Sequence, residues 1–355
     1  MNSSLNWHMR PARAFGAAIV FCLAWTSAVQ AQSTVPNPLQ GLREFLGPAI
    51  RVQQRHSQRL LADRDIVGTG VGLTANREPA IKVFTKSEAI MRIPVNIEGL
   101  PVEVEVTGEF QTAARLDREV SPARTPTNPA RLFPRPVPIG VSIGNEDECS
   151  TGTVGARVVD SSGNVFVLSN NHVLALENTA ASNSDIVQPG LANVKCRFTA
   201  ENVIGTLDSF VPIAFSTSAS NRVDAAIAAS NVLLLGNGTP KNGYGTPETN
   251  IVSAFVGQTV QKYGERSKIT RGRVHAINAT VLVEYDSGTA RFVNQIIVRS
   301  PRPFIRAGDS GALVVTQPGL NPVGLLFAGV KGGRMAIANP IDLVLNAFGV
   351  SIDGQ

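Results

Sequence analysis

Residues 306–315, RAGDSGALVV, set a serine in a frame of small residues just before a run that reads as a β-strand. A serine hydroxyl is a poor nucleophile at neutral pH. It becomes a useful one when an imidazole takes its proton during attack and a carboxylate behind the ring fixes the tautomer. Glycines on both sides of Asp309-Ser310 let the backbone turn tightly. They would aim the N–H groups of Gly308 and Ser310 at one point, as an oxyanion hole requires. Ser310 therefore asks for a histidine and an acid elsewhere in the chain.

Two histidines lie in the C-terminal two thirds. His172 ends a strand-like run in VFVLSNNHVLA, where Ser169, Asn170 and Asn171 turn the pattern polar, a place from which a side chain can stand at the rim of a barrel. His275 sits inside RGRVHAINATVLVEY and reads as structural or exposed. His56 lies among polar helix residues and reads as solvated. For the acid, Asp224 in NRVDAAIAAS opens a small, apolar, buried-looking run, and a carboxylate there costs several kcal/mol unless a partner holds it. Asp185 and Asp208 are rivals in more polar, turn-like surroundings. The expected trio is His172, Asp224 and Ser310.

The elements that must position these residues are mostly short strands. From residue 139 onward, GTVGARVVD and NVFVLSN read as two strands joined across Ser161-Ser162-Gly163. Further runs fall at 203–208, 223–229, 251–263, 272–285, 290–299, 311–316 and 323–329. That spacing predicts an all-β barrel or sandwich, with one late helix at 340–348. Upstream, 38–64 reads as a helix with Pro48 in its first turn and a polar face of Arg51, Gln53, Gln54, Arg55, Gln58 and Arg59. IVGTGVGLT, PAIKVFT and PVEVEVTGEF come next as three strands, making residues 32–117 a small α/β unit. Prolines and arginines crowd 118–138, which reads as an extended linker before the main domain at 139–355.

The first 31 residues combine a basic start, an apolar stretch from Phe15 to Val29 and small residues before Gln32, the pattern of an export signal. No second apolar run approaches spanning length, so no stable membrane insertion is expected once the signal is gone. The expected location is periplasmic or extracellular. The net charge of +5 is mild, spread along the chain and free of interleaved aromatics, which argues against nucleic-acid binding. Cys22 would leave with the signal. The pair that remains, Cys149 and Cys196, predicts one disulfide around the segment that carries His172. No His/Cys/Asp/Glu cluster has ligand spacing, so neither a cofactor nor a metal is implied.

With SNNHVLA, VDAAIA and GDSGALVV in that order, the chain resembles a chymotrypsin-fold, trypsin-like serine peptidase from about 139 to 350. KYGERSKITRGRV and PVGLLFAG resemble two further stretches of that family. It is most similar to an exported bacterial subgroup carrying the same N-terminal unit, and more distantly to the plant Narrow Leaf trypsin-like proteins. The resemblance implies two packed six-stranded antiparallel β-barrels and a C-terminal helix, with His172 and Asp224 from the first barrel and Ser310 from the second. It places the specificity pocket between 302–304 and 327–329, with Phe304, Phe327 and Gly329 in its walls. No acidic residue stands at the base, so the pocket is expected to take an apolar or small side chain.

The chain departs from the family in three places. Gly264-Glu265-Arg266-Ser267-Lys268 brings charges where the family has small and hydroxylated residues, Phe327 falls where many members carry a serine that supports the acid, and no Ile-Val-Gly-Gly start is present to insert beside Asp309. Two functions fit these features. One is an exported serine endopeptidase acting on protein or peptide substrates through an acyl-enzyme. The other is a binding protein on a peptidase fold, catalytically weak or inactive, and the departures at 264–268 and Phe327 favour it. For the N-terminal unit the expected roles are a pro-region or an accessory module.

Overall fold

The computed structural model describes residues 38–88, 93–116 and 128–355. The export signal at 1–31 and the stretch 118–127 of the expected linker lie outside the described residues. Among the described residues no helix is long and apolar enough to cross a membrane.

Helix α1 (Pro38–Leu60) starts upstream of the expected turn, so Pro48 falls in its interior. The missing N–H is tolerated because Leu46, Ala49 and Val52 are buried against a sheet, where tertiary packing outweighs local propensity. Gln53, expected on the polar face, is buried too. Its Nε2 donates to Thr69 Oγ1 at 2.9 Å and its Oε1 accepts from Asn278 at 2.6 Å. His56 is paired rather than merely solvated, with Nε2 2.7 Å from Glu98 Oε1.

Strands β1 (Ile66–Leu73) and β2 (Pro79–Thr85) form an antiparallel hairpin, and β3 (Asn96–Ile97) and β4 (Leu100–Val106) extend the sheet, β4 running parallel to β2. A short strand β5 (Phe110–Thr112) and one helical turn α2 (Ala113–Leu116) come after them. Of the expected linker, the part from 128 to 138 is laid along the next barrel. Val137 is buried and bridges Leu235, and Arg135 donates to the carbonyls of Glu201 and Val203.

The first barrel comprises β6 (Ser142–Asn145), β7 (Gly152–Thr153), β8 (Ala156–Asp160), β9 (Val165–Ser169), β10 (Asp185–Val187), β11 (Val203–Phe210) and β12 (Ala226–Ser230), with the single turn α3 (Asn171–Leu174) after β9. β7 runs on into β8, so the pairings β6–β7, β8–β9, β9–β12, β12–β11, β11–β10 and β10–β6 close a six-stranded circuit. Val141, Ile143, Val154, Val167, Ile186, Ile204 and Ala228 fill it, as alternation along strands requires.

The second barrel is built from β13 (Thr259–Gly264), β14 (Lys268–Tyr285), β15 (Gly288–Arg299), β16 (Leu313–Thr316), β17 (Pro322–Val330) and β18 (Met335–Pro340). Its pairings run β13–β16–β17–β18–β15–β14 and close at β13–β14. Helix α4 (Ile341–Phe348) and strand β19 (Val350–Ile352) end the chain, β19 pairing with β8 of the first barrel. β14 outruns the barrel and accepts β1 along its outer half (Gly68↔Val281, Thr69↔Thr280), so the N-terminal sheet and the second barrel share one ladder.

A third apolar cluster joins the barrels. Ala156, Leu168, Val223 and Ile227 meet Leu313, Val315 and Leu325, and α4 seals them with Val344 and Leu345. At this seam Gly155 lies so close that a Cβ would fall 2.4 Å from the Gly311 carbonyl oxygen.

Candidate active site

His172 rides on α3, directly after β9. The polar run before it fixes the turn. Asn170 Nδ2 donates to the Asp224 carbonyl at 2.8 Å, and Asn171 Nδ2 donates to Asn178 Oδ1 and to the Val211 carbonyl, both at 2.8 Å. Asp224 precedes β12 and is fully buried. Its N–H donates to Asn339 Oδ1 at 3.1 Å, and Asn339 Nδ2 returns a bond to the Asp224 carbonyl at 3.1 Å. The backbone of this acid is thus clamped from both barrels.

The structure brings His172, Asp224 and Ser310 together. His172 Nδ1 stands 2.5 Å from Asp224 Oδ2, and His172 Nε2 stands 2.7 Å from Ser310 Oγ. The His172 N–H also donates to Asp224 Oδ1 at 3.2 Å. Burial pulls the His172 pKa down, but the Asp224 charge and hydrogen bond outweigh it and hold the imidazole above its ordinary value. The rival acids stand elsewhere: Asp185 is half-buried on β10 and Asp208 is exposed on β11. His275 pairs with Glu105, Nε2 to Oε1 at 2.6 Å.

The glycine frame has a steric cause. Gly308 and Gly311 have φ of +95° and +91°, where side chains are disfavoured. A Cβ on Gly311 would fall 2.5 Å from the Thr153 carbonyl oxygen, and one on Gly308 would fall 2.1 Å from Glu265 Oε2. Ser310 is bedded between them with 1% exposure, its own carbonyl accepting from the Thr153 N–H at 2.7 Å.

Asp309 turns inward. Its carboxylate is fully buried against Lys262 Nζ at 2.9 Å and accepts from the N–H groups of Arg306, Arg266 and Ser267. Asp309 thus has its cation inside the barrel, in a lysine side chain from β13. Burial pulls the Lys262 pKa below its ordinary value, with Asp309 opposing. The unusual 264–268 stretch is therefore the wrapping around Asp309. Within it Glu265 is 3% exposed, accepts from Asn193 Nδ2 at 3.0 Å, and is pushed up to about 7 by burial and by Asp309.

One supporting residue carries no mark in the sequence. Tyr285, the last residue of β14, donates its hydroxyl to Asp224 Oδ2 at 2.9 Å, and its ring centroid lies 5.9 Å from that of His172. In the sequence Tyr285 is one more apolar member of an alternating strand, with no signal to set it apart. Of the expected pocket residues, Phe304 and Gly329 share the neighbourhood of Ile305, while the Phe327 ring lies apart. The Phe304 and Phe327 rings are buried in two different core clusters, Phe327 4.9 Å from Phe292, and the Phe327 carbonyl is 3.4 Å from Ser310 Oγ. Gly329 lies beside Ile305, whose Cγ2 would be 2.7 Å from a Cβ there.

Cys149 and Cys196 are joined in a disulfide, Cα to Cα 5.1 Å, closing a 47-residue separation that contains His172. Among the described residues no group of His, Cys, Asp and Glu is placed to hold a metal.

No protein-family model matches this chain, and no curated protein does. Solved structures do. Thermobifida fusca Protease A is 16% identical, covering 61% of this chain and 98% of its own, with a TM-score of 0.44. A glutamic acid-specific serine protease is 22% identical over 61% and 100%, TM-score 0.44, and Nocardiopsis protease 17% over 61% and 97%, TM-score 0.43. The architecture stands on the chain's own ladders, two closed six-stranded antiparallel barrels with a helix at the C-terminus. The fold is chymotrypsin-like. On this fold, His172 and Asp224 come from the first barrel and Ser310 from the second, facing each other across the seam.

Proposed function

We propose that the chain is an exported serine endopeptidase. The observation that carries this reading is the unbroken hydrogen-bond chain Tyr285–Asp224–His172–Ser310. In the first half-reaction His172 Nε2 takes the Ser310 proton as Oγ bonds to the peptide carbonyl carbon. The resulting oxyanion lies against the N–H groups of Gly308 and Ser310. Collapse breaks the C–N bond, and His172 gives its proton to the leaving amine. Water, deprotonated by His172, then attacks the acyl carbon, and His172 returns that proton to Ser310 Oγ as the ester bond breaks. Asp224 holds the ring and offsets the imidazolium charge, while Tyr285 and the His172 N–H hold Asp224.

A fluorophosphonate probe tests this directly. Labelling at Ser310 in the folded protein, lost in Ser310→Ala, is the expected result, together with casein hydrolysis that falls by about 10⁶-fold in the same variant. Turnover unchanged by Ser310→Ala removes the assignment. A binding protein on this fold is the second reading, favoured by the 1% exposure of Ser310 and by a strand already seated beside it. Absence of labelling in folded protein supports it.

A further inference from the structure

Most of β17 is spoken for on both sides: Leu313–Val315 of β16 pair with its first half, and β18 with its other edge. Ala328, Gly329 and Val330, which come next after Phe327, leave the β16 ladder. In the structure β5 fills that edge. Thr112 pairs with Ala328, Gln111 with Gly329 and Phe110 with Val330, all antiparallel, and β5 also runs parallel to β14 at Val283 and Glu284. This edge lies beside the nucleophile, because the Phe327 carbonyl is 3.4 Å from Ser310 Oγ.

The turn next to β5 matters equally. At Ala113 the backbone leaves the extended form and makes the helical turn α2. Ala113 is fully buried and Leu116 nearly so, in one cluster with Phe304 and Ile305. Leu116 Cδ1 comes to 3.4 Å from where a Cβ on Gly329 would stand. Arg115 pins the turn by donating to the Tyr285 carbonyl at 3.0 Å. Thr112 lines, with His172, Glu148 and Glu177, a cavity of about 350 Å³.

We propose that Phe110–Leu116 is an occupant, supplied by the chain itself, of the strand edge on which a polypeptide must lie to reach Ser310, so that the molecule is self-blocked. The inference rests on the peptidase reading above. An extended peptide adds to a sheet edge through main-chain bonds, and one edge accepts one strand at a time. At Ala113 the chain leaves the extended form for α2, so only Phe110–Thr112 lie along this edge as a strand. Opening requires withdrawal of β5 and α2 together, since the strand holds the edge and Leu116 the apolar site next to it.

Two variants of the full chain test this, both outside the triad and the oxyanion donors. Leu116→Glu places a carboxylate in the apolar cluster, and Gln111→Pro removes an N–H from the strand and restricts its backbone. Hydrogen exchange at residues 110–112 reports whether the strand is released, fluorophosphonate labelling reports the triad, and casein hydrolysis reports access. The expected result is faster exchange, retained labelling and at least a tenfold rise in kcat/KM, carried mainly by KM. Released strands with labelling intact and kcat/KM unchanged overturn self-blocking and leave the triad standing. Released strands with no labelling in any form overturn both, because the silence then has another cause.

Discussion

At the residue scale, a carboxylate buried without solvent must be satisfied by its neighbours. Asp224 has three donors to its side chain, and Tyr285 is the one that does not belong to His172. Tyr285→Phe removes a hydrogen bond to a charged group worth about 1.5 kcal/mol, so kcat/KM should fall about tenfold, with kcat carrying the loss. An unaltered kcat would show that the hydroxyl only packs. The pH profile is set by His172, whose folded pKa lies above its ordinary 6.5. Activity should be lost as pH falls through that raised value, and Asp224→Asn, which removes the cause, should lower kcat by about 10⁴-fold. The titration of kcat/KM against pH measures it.

Glu265 gives a stability prediction of opposite character. Its carboxyl keeps its proton up to about 7 in the fold, while an unfolded chain gives it up near 4.5. Between those values the folded state binds the extra proton, so this residue's contribution to stability declines as pH rises and is level above 7. Glu265→Gln should therefore gain on the parent by about 2–3 kcal/mol at most between pH 4.5 and pH 7.5. Urea midpoints at the two pH values give the comparison, and parallel shifts in both proteins would refute it.

At the scale of elements, the turn between β13 and β14 is organised by one buried ion pair. Lys262→Met leaves Asp309 charged, enclosed and without its cation, and should destabilise the protein by about 3–5 kcal/mol, read from denaturant unfolding. A loss below 1 kcal/mol would mean that the surrounding N–H groups suffice. The disulfide acts on a longer segment: in the chain-entropy account, opening it by Cys149→Ser with Cys196→Ser should remove on the order of 4 kcal/mol.

The elements also show what can be read from sequence. β8, β9, β14 and β15 were legible because alternation and turn residues are local signals. Asn170 and Asn171 were legible as a polar break that places His172, and the glycines around Ser310 as a backbone demand. β18 escaped because MAIANP is buried on every residue but the last and so shows no period. β5 escaped because Phe110–Thr112 reads as the tail of the preceding run; its partners on β14 and β17 lie far downstream. Tyr285 and Lys262 act through contacts that only the closed barrels create.

At the scale of the whole molecule, the N-terminal sheet is continuous with the second barrel through β1 and β14, reinforced by Gln53 between Thr69 and Asn278. A protease nick placed within 117–127 should therefore leave the 38–116 fragment bound, co-eluting with the remainder in gel filtration under native conditions. Separation of the fragments without denaturant would count against the shared ladder. Co-elution, with casein hydrolysis no faster than before the nick, is the joint expectation from that ladder and the seated β5 strand.

The closeness of Gly155 to the Gly311 carbonyl has a further consequence. With no room for even a methyl group, the turn that carries the serine rests directly on the main chain of the opposite half. Because the imidazole and the hydroxyl come from opposite halves, a small slip between those halves should part them while each half keeps its own strands. Warming should silence such a molecule before its secondary structure melts.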